Sequence, residues 1–217
     1  MKEEIIEIPK IKIEKIQIAV VGDTPLIMHA WSHKAKQEML DKQMKKPTKA
    51  KEAKDPEMDY YLSMYWLNDG IDKDTPKEVY KALIESGEAR FGFPSRAFKA
   101  CAVDAAYQQK LTKNKTTPRG AFHIDDEYVE IFGTPHMRED TVTVGMGTAD
   151  LRYRGEFDEW RAVLEINYNS GVITPAQIVN MINMGGFANG IGEWRPQKDG
   201  NNGRFHVITD KEAGVDS

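Results

Sequence analysis

A single cysteine, Cys101, stands among 217 residues. That excludes an intramolecular disulfide and any zinc or iron–sulfur centre built on several thiolates, so a reducing, cytoplasmic setting is the expectation. Long apolar runs are also missing, since no stretch nears the roughly 18 residues a membrane helix requires. The opening MKEEIIEIPKIKIEKI alternates isoleucine with charge and does not follow the basic-then-apolar order of a secretion signal. Neither a membrane partner nor export is expected. An overall basic excess is lacking too, with a formal net charge of −4, which argues against a uniformly basic nucleic-acid coat. The sequence has no P-loop, dinucleotide fingerprint or serine-hydrolase elbow.

With 40% apolar and 29% charged residues, the composition suits one globular domain, residues 1–217, carrying one large insertion. Its charge is unevenly placed. Between His33 and Lys54 lie eight lysines, Lys34, Lys45 and Lys46 among them, against three acids, a local charge of +5. Lys113 and Lys115 belong to a second basic island, KLTKNKTTPRG, which reads as an exposed loop.

Alternation over residues 5–21, with a slip near Lys15, predicts a long first strand with a bulge. Residues 33–46 read as a helix stopped by Pro47, with a lysine-rich linker after it. In MDYYLSMYW, Tyr61, Met64 and Tyr65 recur at helical spacing. Thr75-Pro76-Lys77-Glu78 has the form of a capping box ahead of a helix with Val79, Leu83 and Ile84 on one face and Gly87 as its stop. RFGFP is extended, and Ser95 is the expected cap of a helix whose face is Phe98, Cys101, Ala102, Ala105 and Ala106. From Ala121 the period becomes two, giving strands in HIDDEYVEIFG, DTVTVGMG, DLRYRGEF and WRAVLEINYN. Thr174-Pro175 opens another helix, with Gly185-Gly186 as its expected stop, before a last strand at 204–208. Without the helical, lysine-rich excursion at 23–90, the order is β-α-β-β-α-β. The fold class is therefore α+β, a ferredoxin-like (RRM-like) antiparallel sheet core with a large helical insertion after the first strand.

The richest stretch runs from Gly185 to Arg204. Six glycines fall in nineteen residues, between a helix and a strand, with Trp194, Arg195, Lys198 and Arg204 among them. Glycine lets backbone amides approach a phosphate or another chain, and arginine supplies charge and stacking. The same glycines would also serve a long turn that needs positive φ. Helix, Gly-x-Gly segment, basic residues and a Gly-Arg-Phe entry to the last strand together resemble the carboxy-terminal loop of the RAMP superfamily, the ferredoxin-like RNA-binding proteins of CRISPR effector complexes. Similarity is greatest to their backbone subunits, through Gly190, Gly192, Arg195, Gly200, Gly203 and Arg204. The resemblance implies binding along one single strand of DNA or RNA, with protomers touching head to tail as a homo-oligomer or filament.

Single-strand binders pair a basic groove with aromatic platforms. The basic candidates are Lys34, Lys45, Lys46, Lys113, Lys115, Arg152, Arg154, Arg195, Lys198 and Arg204, with Trp31, Tyr153, Trp194 and Phe205 beside them. On a strand, Arg152 and Arg154 share a face and stand about 6.6 Å apart, comparable to a phosphate spacing, unless they meet carboxylates such as Asp150 or Glu156. His29 and His33 have helical metal-ligand spacing but lack the glutamate of a zinc protease. With Asp23 they form the acid–base set of a metal-independent endoribonuclease reading. Asp125 with Glu127, and Glu139 with Asp140, are read as solvated strand ends, and Cys101 as an inert core thiol. The expectation is a non-enzymatic, cofactor-free strand binder, set against a structural or assembly protein of viral type that oligomerises without nucleic acid.

Overall fold

The computed structural model describes residues 10–31, 39–46, 53–144 and 147–209. Its main sheet begins with β1 (Ile13–Gly22), whose Ile16, Ile18 and Val20 point inward at alternate positions. β1 pairs in unbroken antiparallel register with β9 (Arg161–Asn169), from Ile13 opposite Asn169 to Val21 opposite Arg161. The expected bulge is therefore not formed. The slip near Lys15 arises because Ile13 lies on the outer face, 60% exposed.

On the other side β1 pairs with β10 (Phe205–Val207), and β9 pairs with both β5 (Phe122–Ile124) and β6 (Tyr128–Phe132). Two helices cover one face. These are α3 (Ser95–Gln108) and α5 (Pro175–Ala188), which follow the first and the next-to-last core strands. Last strand, first strand, third and second lie side by side, and this is the antiparallel order of a ferredoxin-like α+β core.

The long excursion after β1 extends this sheet. It contains β2 (Leu26–Ile27), α1 (Pro56–Leu62), β3 (Tyr65–Trp66) and α2 (Lys77–Ser86) and runs directly into β4 (Phe91–Pro94), and β3 and β4 lengthen the sheet beyond β6. The hairpin of β7 (Pro135–Val144) and β8 (Thr148–Phe157) joins β2 as a second, three-stranded sheet. α4 (Thr116–Ala121) occupies part of the stretch read as an exposed loop, and Pro118 in it is buried.

Several local expectations take another form. Helix α1 stops at Leu62 because Ser63 closes it, so Tyr65 starts a strand. Thr75 does not cap α2. Its hydroxyl accepts from the Asp72 amide at 2.9 Å, and the buried contact of that helix is Tyr80, whereas Val79 is exposed. Ser95 is the first residue of α3, and its hydroxyl donates to the Asp126 carbonyl at 2.7 Å. Gly185 and Gly186 lie inside α5. A methyl on Gly185 would sit 2.7 Å from the Ala102 amide nitrogen of α3, and one on Gly186 would sit 2.0 Å from the Phe205 carbonyl oxygen. The two glycines thus let α5 press against α3 and β10. A capping box does form at Thr174 and Gln177.

Candidate nucleic-acid interface

A groove of about 200 Å³ runs between the outward face of α3 and the glycine-rich loop. Ala97, Ala100, Cys101 and Asp104 form one wall, and Gly190 to Glu193, Arg195 and Gln197 form the other. Tyr65, Phe93 and His29 close one end, with the Tyr65 and Phe93 rings edge to face at 5.9 Å. Cys101 is floor. Burial pushes its thiol up to about 12, so it is no nucleophile at neutral pH.

The loop is held by main-chain bonds, within itself and to the segment 25–27. Ile191 donates to the Gly203 carbonyl at 2.9 Å, Gly203 to Pro25 at 2.7 Å, Glu193 to Ile27 at 3.0 Å and Asn202 to Trp194 at 3.0 Å. Gly190, Gly192 and Gly203 have positive φ, and a methyl on Gly200 or Gly203 would lie 1.7 Å from the Trp194 or Ile191 carbonyl oxygen. The four glycines of the binding expectation thus have a demonstrated use as tight internal packing, which presents the side chains between them. Trp194, also at positive φ, is 41% exposed and donates its indole N–H to Asp140 at 3.3 Å. Arg195 donates to the Gly192 carbonyl at 2.8 Å and to Gln197 at 3.2 Å. Both partners are neutral, so its positive charge is left uncompensated by them. Lys198 is exposed on a 3₁₀ turn, Pro196–Lys198. Arg204 is half-buried, and its Nε is enclosed without a hydrogen-bond partner among the described residues.

The β8 arginines differ from the expectation. Arg154 is only 5% exposed and its Nη1 lies 2.8 Å from Asp140; Arg152 lies 3.0 Å from Asp150. The register of β7 and β8 places His136, Arg138 and Asp140 against Glu156, Arg154 and Arg152 on one face, so Asp140 reaches Arg154 diagonally, while Arg152 meets Asp150 two residues back on its own strand. Arg154 therefore does not line a solvent groove. Asp140 is likewise no solvated strand end, being 8% exposed and bound by Arg138, Arg154 and Trp194. Burial pulls its carboxyl upward, and these three donors outweigh that, leaving it below the usual carboxylate range.

The lysines scatter. Lys45 and Lys46 are exposed, with Lys46 at 3.2 Å from Asp41, while Lys34 lies outside the described residues. Lys113 is exposed, and Lys115 pairs with Asp104 at 2.9 Å at the groove wall. Lys54 pairs with Asp150 at 2.6 Å.

His29 belongs to no helix, so the metal-ligand spacing with His33, itself outside the described residues, loses its premise. Its Nδ1 stands 3.6 Å from Glu193 and 3.5 Å from Arg154, whereas Asp23 pairs with His206 at 2.6 Å. The expected acid–base set is thereby divided. Asp126 has φ 61° and interrupts the run from β5 to β6, so Asp125 and Glu127 do not sit on one continuous strand face. Among the described residues, His136, Glu156 and Asp158 come within 4.8 Å of one another. The imidazole bridges the two carboxylates, at 3.2 Å and 3.5 Å, and Arg138 takes the other Glu156 oxygen at 2.7 Å, an ion-pair arrangement in which a guanidinium already neutralises the innermost carboxylate.

Sequence reasoning missed Glu193, Gln197, Tyr65 and the alanine wall of α3. Glu193 stood within the glycine-rich run but was overshadowed by its basic neighbours. A larger hollow of about 510 Å³ opens on the uncovered side of the main sheet, lined by Asp125, Asp126, Glu127, Glu130 and Glu165 with Arg90. Its charge repels a phosphate backbone.

No family model matches the chain, and no curated protein matches it. Among solved structures, Cmr6 from Pyrococcus furiosus aligns over 91% of this chain and 98% of its own, at 6% identity and a TM-score of 0.43. Agreement that loose assigns no function. No described helix is long and apolar enough to cross a membrane.

Proposed function

We propose that this protein binds a single strand of nucleic acid along the face formed by the glycine-rich loop, the groove and the segment leading to Trp31. The observation that carries this reading is the pairing of cations held by neutral hydrogen-bond partners, or by none among the described residues, with exposed indoles. Arg195 bonds only neutral groups there, Lys198 is exposed beside it, Trp194 is 41% exposed, and Trp31, two residues past the His29 of the groove, is 60% exposed. Aromatic platforms beside cations accept stacked bases and neighbouring phosphates with little regard to sequence. The ferredoxin-like strand order, with a Gly/Arg loop between second helix and last strand, supports a distant RAMP-like relationship. On this reading the chain acts by binding and not by catalysis, and copies line up along the strand.

The test is fluorescence anisotropy with labelled single-stranded DNA, single-stranded RNA and duplex DNA for the protein and for Arg195→Ala/Arg204→Ala. The proposal expects weaker binding and a shallower salt dependence in the double variant, each lost phosphate contact removing about 0.7 from the logarithmic salt slope for a single strand. Unchanged affinity and slope would overturn it. Oligomers that persist in nuclease-treated protein and ignore every strand would favour an assembly protein instead.

A further inference from the structure

We propose that the groove between α3 and the glycine-rich loop receives one base of the bound strand and that the Glu193 carboxylate selects guanine there. This rests on the strand-binding reading and adds a specificity to it. The groove's volume of about 200 Å³ suits one nucleobase with a little water. Its α3 wall is methyl-lined, through Ala97 and Ala100, and its end is aromatic, through Tyr65 and Phe93. A planar, largely apolar ring can lie against such surfaces.

Polar recognition then falls to the lining groups that are not already committed. Asp104 faces Lys115 at 2.9 Å, and Arg195, aimed by the Gly192 carbonyl and Gln197, serves the phosphates of the strand and not the base. Glu193 differs. Its backbone amide is fixed to the Ile27 carbonyl at 3.0 Å, while one carboxylate oxygen, Oε1, has the His29 imidazole at 3.6 Å as a loose ion-pair partner. His29 beside it holds the carboxyl below the usual carboxylate range, so at neutral pH it is ionised and only accepts.

An acceptor-only carboxylate matches a base edge with two adjacent donors. Guanine offers N1–H and the 2-amino group side by side. Adenine and cytosine place a ring-nitrogen acceptor next to their amino group, and uracil or thymine flanks one N–H with two carbonyls. Each of those would turn a lone pair toward Glu193 in a partly desolvated groove, and a site built to accept rejects a ligand lacking the donor.

Anisotropy titrations with 12-residue pyrimidine strands carrying one central guanine, inosine or adenine test this. Inosine lacks only the 2-amino group. Wild-type protein is expected to favour guanine over inosine by about tenfold and over adenine by at least as much, the scale of one charge-assisted hydrogen bond. Glu193→Gln, with its melting temperature checked against wild type, should bring the guanine-to-inosine ratio near unity and leave the salt slope unchanged. Equal, salt-sensitive binding of all three strands, or an undiminished guanine preference in Glu193→Gln, overturns the base assignment and leaves strand binding standing. No binding to any strand removes both.

Discussion

Arg154 and Arg195 carry the same guanidinium, and both lie close enough to Glu193 to help lower its carboxyl, yet the chain uses them in opposite ways. Arg154 sits in a β-ladder whose register sets Asp140 beside it, so its charge is neutralised inside the fold. Arg195 sits on a glycine-built loop and bonds a main-chain carbonyl and an amide, which fix its direction without cancelling its charge. The same contrast separates Lys54 and Lys115, each against a carboxylate, from exposed Lys113 and Lys198. Counting basic residues along a sequence overstates the charge a protein can offer a ligand. What matters is which cations are held by neutral partners.

The largest expected effect comes from destroying the scaffold under the loop. Gly203→Ala sets a methyl 1.7 Å from the Ile191 carbonyl oxygen at a φ of +67° and should cost about 3 kcal/mol or more in chemical denaturation. Asp140→Ala strands Arg154 and Arg138 and should cost about 3 kcal/mol, while Arg195→Ala should stay within about 0.5 kcal/mol of wild type. Comparable losses for Asp140→Ala and Arg195→Ala would erase the contrast between committed and free arginines. Trp194→Ala should weaken single-strand binding by about 1 to 3 kcal/mol, read as a rise in Kd.

Acidification sharpens the contrast least but from a separate direction. Asp140 and Glu193 have lowered carboxyls, so their contribution is complete above the ordinary carboxylate pKa of about 4 and fades as pH drops through the lower folded values. The melting temperature should hold from pH 7 to about 5 and drop below about 4, with part of that acid sensitivity gone in Asp140→Asn.

The core was legible because period-two alternation marks β1 and β9, and because Thr174-Pro175 marks the start of α5. Other features depended on what lay across from them. Gly185 and Gly186 look like a helix stop until α3 and β10 are set against them. Pro135 hid the start of β7, where proline is tolerated because that strand is the edge of its sheet. Within the site, the glycine-rich run announced the loop, and Trp194, Arg195 and Lys198 do lie on it. Nothing in Arg152-Tyr153-Arg154 told that Asp140, fourteen residues before Arg154, would claim it.

The most direct measurement is the affinity of labelled single-stranded RNA, single-stranded DNA and duplex DNA at two salt concentrations, with complex size followed against strand length. The account predicts salt-sensitive binding to a single strand over duplex, complexes that grow with the strand, and loss on Arg195→Ala/Arg204→Ala. Absence of binding to all three, or binding indifferent to salt and to that double substitution, would contradict it.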